Sequence, residues 1–367
     1  MKKKKILFVI NSIQRGGAEK ILQYLLKGID RELFEIYLFL LFARPNEKGL
    51  IPEDVTFSSS TSKGNYLSIL IKLVRFIIQT NPDLIFSLLW GANILSAFAA
   101  LLTNHKLFAG EYTIPSVCMK QYSFPFLRKK ILGSAYRTAN KIIACSETSK
   151  KDISNFFGIQ AENIVMIKNG IDVQNIKGLS NENVGVPYND YFISVGRLEK
   201  EKNFAGMIEN IYNLRTETGI NFPLVIVGEG SLHKELEEKA AALKIRIYMP
   251  GFLSNPYPFI KKAKIFLLTS SFESLPLNIL EAMVCGTPVI AEDCPGGINE
   301  VIENNKTGII IPKNNPKAFS ESVKRLLNDD SFRRLITENA YSAVTRNFSL
   351  PAMIEKYNNL LNEQVPK

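Results

Sequence analysis

Residues 265–291 read IFLLTSSFESLPLNILEAMVCGTPVIA, and this stretch indicates how the chain is built. Its apolar first and last residues are typical of buried strands. Between them, Ser274 as a cap, Pro276 in the first turn, Gly286 at the C-terminal cap and Pro288 as a stop predict a helix of about ten residues. A strand, a helix and a second strand in this order favour parallel pairing, because a helix is the usual crossover between parallel strands.

The same alternation of apolar runs and amphipathic stretches occurs twice along the chain. In the first half, the predicted strands are 5–10, 35–42, 84–88, 107–110 and 141–145, and predicted helices include 18–28 and 93–102. In the second half, the predicted strands are 191–196, 224–228, 245–249, 265–269, 288–291 and 308–311, with a helix at 231–243 and a helical tail from Pro316. The pattern predicts an α/β protein with two Rossmann-like, doubly wound parallel sheets.

The polar stretch 173–190 has no periodicity and is predicted as a linker. It divides a first domain, 1–180, from a second domain, 188–345. Residues 346–367 are expected to form a C-terminal helix that packs back on the first domain. A length of 367 residues with 46% hydrophobic side chains suits two such cores.

Histidine and cysteine usage limits the chemistry. The two histidines, His105 and His233, lie far apart and exclude a zinc site of the H-E-x-x-H type, so that carboxylates would perform acid–base work. The four cysteines show no C-x-x-C spacing, and so few in a long chain predict a reducing compartment and a cytoplasmic protein.

The positive charge is confined to the first half. Residues 1–187 carry 24 Lys and Arg against 14 Asp and Glu, whereas residues 188–367 carry 21 of each. Nucleic acid, an anionic membrane or a phosphorylated substrate would each fit this excess.

Two basic clusters contribute to this charge, at residues 2–5 and 128–130. The second follows Tyr122, Phe124 and Phe126, and this pairing of apolar with basic side chains suits a lipid headgroup layer. A solvated basic surface explains the clusters equally well.

Two apolar segments could be mistaken for targeting or membrane signals. The apolar part after the N-terminal lysines, 6–10, is shorter than the roughly 7–15 residues of a signal peptide and is predicted as a strand. Residues 84–102 carry no charge, but Ser87, Gly91 and Asn93 interrupt them, which favours a buried strand followed by a core helix.

Loops after parallel strands bind the ligands of open sheets, and two such loops have unusual composition. In the loop 11–19, Gly16 and Gly17 would allow close approach of a phosphate to a helix N-terminus, although a tight turn explains the pair too. Neither G-x-G-x-x-G nor a P-loop Lys-Ser/Thr occurs, which argues against NAD binding and ATP hydrolysis. Arg197 and Lys202 could clamp a diphosphate, or could be solvated surface residues.

One glutamate precedes the predicted helix that follows residue 276, and a second lies within it. Glu281 stands among apolar residues, and a buried carboxylate requires a partner, either a structural cation or a pair of ligand hydroxyls. Glu273 lies just before the helix, where the N–H groups of Leu277 and Asn278 could hold a phosphate.

The E-x7-E spacing of Glu273 and Glu281 in FESLPLNILEAMVCGTPVIA resembles the signature of the family-4 retaining glycosyltransferases, also called group 1, which have the GT-B fold. Further matches follow the order of the family along the whole chain. They are GGAE at 16–19, PDLI at 82–85, CSE at 145–147, NGID at 169–172, VGR at 195–197 with KN at 202–203, VGEG at 227–230 and PGGINE at 295–300. Together the matches are specific for the family and not for its substrate.

The resemblance implies two Rossmann-like domains that face an interdomain cleft, and it implies roles for site residues. Arg197 and Lys202 would neutralise the donor diphosphate, Glu281 would hold the ribose hydroxyls, and Glu273 would bind the transferred sugar. The remaining donor-binding candidates are Gly16 and Gly17 in the first domain and Gly228, Phe252, Leu277 and Asn278 in the second.

The chain departs from the family after the strand 107–110. Many relatives have a histidine there, whereas Glu111-Tyr112-Thr113 resembles a subset with S-E-R-N in which Tyr and Thr replace Arg and Asn. Glu111 is therefore a candidate catalytic residue that touches the acceptor or the transferred sugar, and a Glu that caps a loop is the equal alternative. His105 is expected in a loop and Trp90 in the core.

The resemblance implies a retaining hexosyltransferase that uses a nucleotide-diphosphate sugar, with UDP as the favoured nucleotide, and needs no metal or other cofactor. The acceptor would be a saccharide, a lipid-linked saccharide or a lipopolysaccharide core in bacterial surface glycan or glycoprotein glycan assembly. The enzyme would then sit peripherally at the inner face of the cell membrane, bound to anionic lipid and not to nucleic acid.

Two alternatives remain at this point. A GT-B enzyme resembling a sugar-nucleotide epimerase would share the fold but not the E-x7-E helix. A non-enzymatic basic protein that binds membrane or nucleic acid would explain the charge but not the cleft residues.

Overall fold

The computed structural model describes residues 2–14, 16–42, 47–60 and 65–364. It divides the chain into two compact units, one formed by residues 1–170 with 350–367 and the other by residues 171–349. Arg15, in the loop after the first strand, lies outside the described residues.

The first unit contains seven strands and seven helices among its described residues. The strands are β1 (Lys4–Ile10), β2 (Phe34–Leu40), β3 (Thr56–Ser59), β4 (Leu84–Leu88), β5 (Leu107–Glu111), β6 (Lys141–Ala144) and β7 (Ile164–Met166). The helices are α1 (Gly17–Gly28), α2 (Tyr66–Thr80), α3 (Trp90–Thr103), α4 (Pro115–Cys118), α5 (Pro125–Thr138), α6 (Glu147–Phe157) and, at the C-terminal end of the chain, α15 (Leu350–Gln364). The strands form one parallel sheet in the order β3-β2-β1-β4-β5-β6-β7.

The second unit contains six strands and eight helices. The strands are β8 (Phe192–Val195), β9 (Leu224–Val227), β10 (Ile247–Gly251), β11 (Ile265–Leu268), β12 (Val289–Glu292) and β13 (Ile309–Ile311). The helices are α7 (Val173–Leu179), α8 (Phe204–Thr218), α9 (His233–Ala242), α10 (Tyr257–Lys262), α11 (Leu277–Val284), α12 (Ile298–Val301), α13 (Pro316–Asn328) and α14 (Asp330–Asn347). The parallel sheet has the order β10-β9-β8-β11-β12-β13.

The order of the strands determines where a ligand can bind in each unit. In the first sheet the winding direction reverses between β1 and β4, and in the second between β8 and β11. The crevice that such a reversal opens beyond the carboxyl ends of the strands is the usual binding position of doubly wound sheets. Strands in the middle of a doubly wound sheet are apolar because helices cover both of their faces. Residues 6–10 of β1, for example, are fully buried.

All eleven predicted strands are present within about two residues of their predicted bounds. The prediction of a structureless linker over 173–190 was wrong at its start, because α7 occupies residues 173–179. The Asp172 side chain caps this helix by accepting a hydrogen bond from the Asn175 N–H at 3.0 Å. Helix α11 begins at Leu277, and Pro276, predicted in its first turn, holds the N-cap position.

The N-terminal lysines are tied into the first unit. Lys4 Nζ donates to the backbone oxygen of Asn362 on α15 at 2.8 Å. Lys5 Nζ donates to the backbone oxygen of Thr80 at 3.0 Å. Two of the four lysines in the cluster 2–5 therefore hold strand β1 to its neighbours.

The uncharged segment 84–102 is the buried strand β4 followed by helix α3, as predicted. Within the described parts of the chain, none of the helices combines the length and the apolar character that crossing a bilayer requires.

Candidate active site

Three glycines bring the loops after β8, β9 and β10 together at the carboxyl edge of the second sheet. Gly228 has a φ of +149°, and a Cβ placed there would lie 1.9 Å from the carbonyl oxygen of Gly196. Its N–H donates to the carbonyl oxygen of Gly251 at 2.9 Å. Only glycine fits position 228, so its immediate role is the close packing of backbone that shapes this edge.

Lys202 and Glu273 meet where the second sheet reverses its winding. Lys202 follows β8 and Glu273 follows β11, and the Lys202 Nζ lies 2.6 Å from the Glu273 Oε1. Both side chains are largely buried, at 19% and 11% exposure. Ser270 Oγ donates to the same carboxylate oxygen at 2.7 Å. An ammonium and a carboxylate thus stand together at the expected ligand position of the fold.

The loop that carries Lys202 is fastened to the end of β11. Thr269 Oγ1 donates to the backbone oxygen of Asn203 at 3.0 Å, and the Ser271 N–H donates to that of Glu201 at 2.7 Å. Asn203 takes a left-handed conformation and caps α8 through a 3.3 Å bond to the Gly206 N–H. These contacts turn the chain so that Lys202 faces Glu273.

Glu273 is held by its backbone as well. Its N–H donates to the backbone oxygen of Pro295 at 3.1 Å, and its carbonyl oxygen accepts from the Gly297 N–H at 2.8 Å. Burial, followed by the nearby Glu273 charge, raises the pKa of the neighbouring Cys294 thiol to about 12, so this thiol is neutral at physiological pH. Loops after β8, β11 and β12 therefore all converge on Glu273.

Helix α11 holds Glu281 as the sequence predicted, inside an apolar helix. Glu281 is 7% exposed, and the other residues of the helix except Asn278 are buried too. The Asn278 Nδ2 donates to the backbone oxygen of Val195 at 2.8 Å, which fixes the start of α11 to the end of β8. The side chain of Asn278 is thus used by the scaffold, as is that of Leu277, which is buried.

Arg197 and Phe252 lie at the same edge with more open side chains. The Arg197 guanidinium pairs with Glu201 at 2.6 Å and its side chain is 62% exposed, so the structure does not join it to Lys202 as a clamp. Phe252, directly after β10, is 49% exposed.

In the first unit, Gly16 is the N-cap of α1, and Gly17 is its first residue. A Cβ at Gly16 would lie 2.0 Å from a carboxylate oxygen of Glu19, so the glycine makes room for that side chain. The Glu19 carboxylate therefore lies against the helix start, where a phosphate was expected. Contact of Gly16 and Gly17 with a donor stays a prediction.

Glu111 is fully buried at the end of β5, and four donors surround its carboxylate. Oε2 accepts from the Trp90 indole N–H at 2.6 Å and from the Tyr136 hydroxyl, while Oε1 accepts from the Thr113 N–H at 2.8 Å and its hydroxyl at 2.7 Å. Burial raises the pKa of Glu111 above its usual value despite these bonds, which lower it. The bonds to Thr113 match the loop-capping alternative, and contact with an acceptor or sugar stays a prediction.

Sequence reasoning missed several partners of these carboxylates. Thr269 is the last residue of the predicted strand 265–269 and Ser270 follows it, and polar residues at the carboxyl end of a strand would have been the signal for them. Trp90 was expected in the core; it is partly buried and donates to Glu111.

Among the described residues, no cluster of three His, Cys, Asp or Glu side chains could hold a metal ion.

Comparison with known proteins identifies the family of the chain. The family model described as Glycosyltransferase Family 4 matches residues 15–175, and the one described as Glycosyl transferases group 1 matches residues 182–343. The chain is 28% identical, over 90% of its length and 92% of the relative, to the Campylobacter jejuni N-acetylgalactosamine-N,N'-diacetylbacillosaminyl-diphospho-undecaprenol 4-alpha-N-acetylgalactosaminyltransferase. It is 24% identical, over 98% of its length and 99% of the relative, to the amylovoran biosynthesis glycosyltransferase AmsD of Erwinia amylovora.

The fold also matches a solved structure, that of Anabaena HepE in complex with UDP-glucose. The TM-score is 0.82 at 22% identity, with 98% of this chain and 99% of that chain covered. The two parallel-sheet units are thus those of the GT-B fold. With two family models that together span most of its length, the chain belongs to the family-4, group 1 glycosyltransferases and is a glycosyltransferase.

Proposed function

We propose that this enzyme transfers a sugar from a UDP-sugar, with retention of the anomeric configuration, to a saccharide or lipid-linked acceptor during bacterial surface glycan or glycoprotein glycan assembly. The observation that carries the proposal is the contact between Lys202 and Glu273 at the reversal point of the second sheet. A cation for a diphosphate and a carboxylate for sugar hydroxyls stand side by side there.

The other residues of this edge support a nucleotide-sugar donor. The Glu281 carboxylate would accept from the two ribose hydroxyls, and the Phe252 ring, which is 49% exposed, would stack on the nucleobase. UDP and UDP-glucose are bound in the solved Anabaena HepE structures, whose fold this chain shares.

The reaction requires charge stabilisation above all. The bond between the anomeric carbon and the diphosphate oxygen breaks, the acceptor oxygen forms a new bond on the same face, and the acceptor proton moves to the departing phosphate. UDP leaves with the bonding electrons, and Lys202, with Arg197 swung from Glu201, would stabilise that negative charge in place of a metal ion.

The acceptor is proposed from the relatives. The Campylobacter jejuni relative acts, by its name, on a diphospho-undecaprenol-linked sugar, and the Erwinia amylovora relative acts in amylovoran biosynthesis. An isoprenoid-linked acceptor would place the enzyme peripherally at the inner face of the membrane.

The test is a transfer assay with several UDP-sugars and a lipid-linked saccharide acceptor, in the presence of a metal chelator. The proposal expects a product whose anomeric proton coupling in NMR matches that of the donor, and loss of product in Lys202→Ala. A product of inverted configuration, a requirement for metal, or transfer only from other nucleotides would contradict the corresponding part of the proposal.

A further inference from the structure

Exposed apolar side chains are concentrated on one part of the first unit. Of the sixteen large apolar side chains that are exposed among the described residues, twelve lie on α2, α3, α5 or the loop that leads into α5. The most open are Leu67, Ile78, Leu101, Leu102, Phe124 and Phe126, at 65–76% exposure. Only three of the sixteen lie in the second unit, although it has about the same length as the first. A concentration of this kind marks an interaction surface, since single exposed apolar residues are normally scattered.

These helices form one continuous surface. Helix α3 packs against α2 on one side and against α5 on the other. Between α3 and α5 lies an open groove of about 270 Å³, lined by Phe98 and Leu101 from α3 and by Lys130 and Ile131 from α5. The groove shows that the apolar side chains of neighbouring helices share one solvent-facing area. We call the surface of α2, α3 and α5 with the loop 122–124 the docking face.

The charge on the docking face has a single sign. Helices α2, α3 and α5 contain no Asp or Glu. Their basic residues are Lys72, Arg75, Arg128, Lys129, Lys130 and Arg137. Cations interleaved with exposed aromatic and aliphatic side chains are the composition of segments that lie in the headgroup layer of anionic membranes.

Contacts among neighbouring side chains fix the loop 122–124 at the start of α5. Phe124 has a φ of +57°, a conformation that is strained for a bulky residue. Arg128 Nε donates to the Ser123 backbone oxygen at 2.8 Å, and its guanidinium lies 5.1 Å from the ring centre of Tyr122. Tyr122 in turn packs on Trp90, with 5.6 Å between ring centres. The surroundings thus keep Phe124 in a conformation that leaves it 76% exposed.

We infer that the docking face binds an anionic phospholipid membrane, with Phe124, Phe126 and Leu127 inserted among the lipids and the six cations at the headgroup phosphates. A second copy of this chain is a poor occupant, because an isologous contact would bring six cations against six others with no carboxylate between them. This inference adds to the proposed function the surface through which a membrane-held acceptor is met, and it rests on that function only for the identity of the acceptor.

Vesicle flotation of the purified full chain tests the inference without any transfer assay. Binding is compared between vesicles of phosphatidylcholine alone and vesicles of phosphatidylcholine mixed with phosphatidylglycerol, at low and high salt. Leu127→Ser removes an apolar side chain of 56% exposure, and Leu335→Ser in the second unit is its matched control at 57% exposure. Lys129→Gln with Lys130→Gln removes two cations, and Lys234→Gln with Lys261→Gln is the control.

We expect binding to the anionic vesicles alone, with weakening at high salt. Leu127→Ser should weaken partitioning about tenfold, and the double lysine variant about thirtyfold. Each control should bind as the wild type does. Equal binding to both vesicle types, equal weakening by the controls, or a dimer in solution that Leu127→Ser disrupts without any vesicle binding would overturn the inference. Because the readout is flotation, a failure here would leave the transfer proposal standing, and the reverse also holds.

Discussion

The ammonium of Lys202 lies 2.6 Å from a carboxylate oxygen of Glu273, a residue 71 positions further along the chain. A largely buried ion pair contributes little net stability, because both charges lose their hydration. An apolar pair would serve packing equally well at this position. The pair is therefore better explained by a ligand that needs both charges where the second sheet reverses its winding.

Lys202→Ala should lower the turnover number of sugar transfer by about 10²–10³-fold, because the charge that develops on the leaving diphosphate loses its nearest cation. Steady-state kinetics with a UDP-sugar measures this. Lys200→Ala, an exposed lysine in the same turn, is the control and should keep nearly full activity. Equal losses of turnover in both variants would mean that activity depends on the loop as a whole and not on the Lys202 ammonium.

Phe252→Ala should weaken UDP binding about tenfold, because stacking on an aromatic ring contributes about 1–3 kcal/mol per base. Its exposure of 49% means that the thermal stability should hardly change. Tyr212→Ala, a partly exposed aromatic on α8, should bind UDP normally. An unchanged dissociation constant for Phe252→Ala in calorimetry would remove Phe252 from the donor site.

Gly228→Ala should lower the free energy of unfolding by about 3 kcal/mol or more, because the new Cβ would overlap the Gly196 carbonyl oxygen and φ is positive. Urea denaturation measures the change. Gly185→Ala has open space around it and should shift the stability by less than about 0.5 kcal/mol. A Gly228→Ala variant as stable as Gly185→Ala would contradict the backbone contact.

Glu292 makes the stability depend on pH. Burial raises its pKa above the usual 4.5, while its Oε1 accepts from Asn210 at 3.0 Å. Between 4.5 and the raised native pKa, the native state holds more protons than the unfolded chain, so this group makes stability fall as pH rises through that window and leaves it constant above. The Glu292→Gln variant keeps an oxygen that can accept from Asn210, but it has no titrating carboxyl, so this loss of stability with rising pH should disappear.

We therefore expect Glu292→Gln to be more stable than the wild type at pH 7, with the difference vanishing below pH 4.5. Urea unfolding at several pH values measures it. Glu338→Gln, exposed on α14, should show no such difference. A Glu292→Gln protein that is less stable at pH 7 would show that the ionised carboxylate has a stabilising partner.

The sequence predicted the fold wherever a strand is a buried apolar run. Strand β4 begins and ends at the predicted residues, 84 and 88. Strands β3 and β7 were missed because both are edge strands of three or four residues, and β3 has no buried residue to reveal a pattern. Periodicity cannot identify so short a segment.

The sequence predicted which residues and which loops belong to the candidate site, but it did not predict which side chains contact one another. Lys202 and Glu273 are joined only because β8 lies beside β11, which the sequence does not state. Arg197 and Lys202 look alike as two cations of one loop, yet the turn at 200–203 sends Lys202 toward Glu273, whereas Arg197 pairs with Glu201. The donors to Glu111 likewise come from Trp90 and Tyr136, which are distant in sequence.

The most direct test of the donor site is calorimetric titration of UDP and of 2′,3′-dideoxy-UDP into the wild type and into Glu281→Gln. If Glu281 accepts from the ribose hydroxyls, the wild type should prefer UDP by about tenfold or more, and Glu281→Gln should bind both nucleotides with the same, weaker affinity. A Glu281→Gln protein that binds UDP as tightly as the wild type and keeps the preference would contradict the assignment of this edge of the second sheet to the nucleotide sugar.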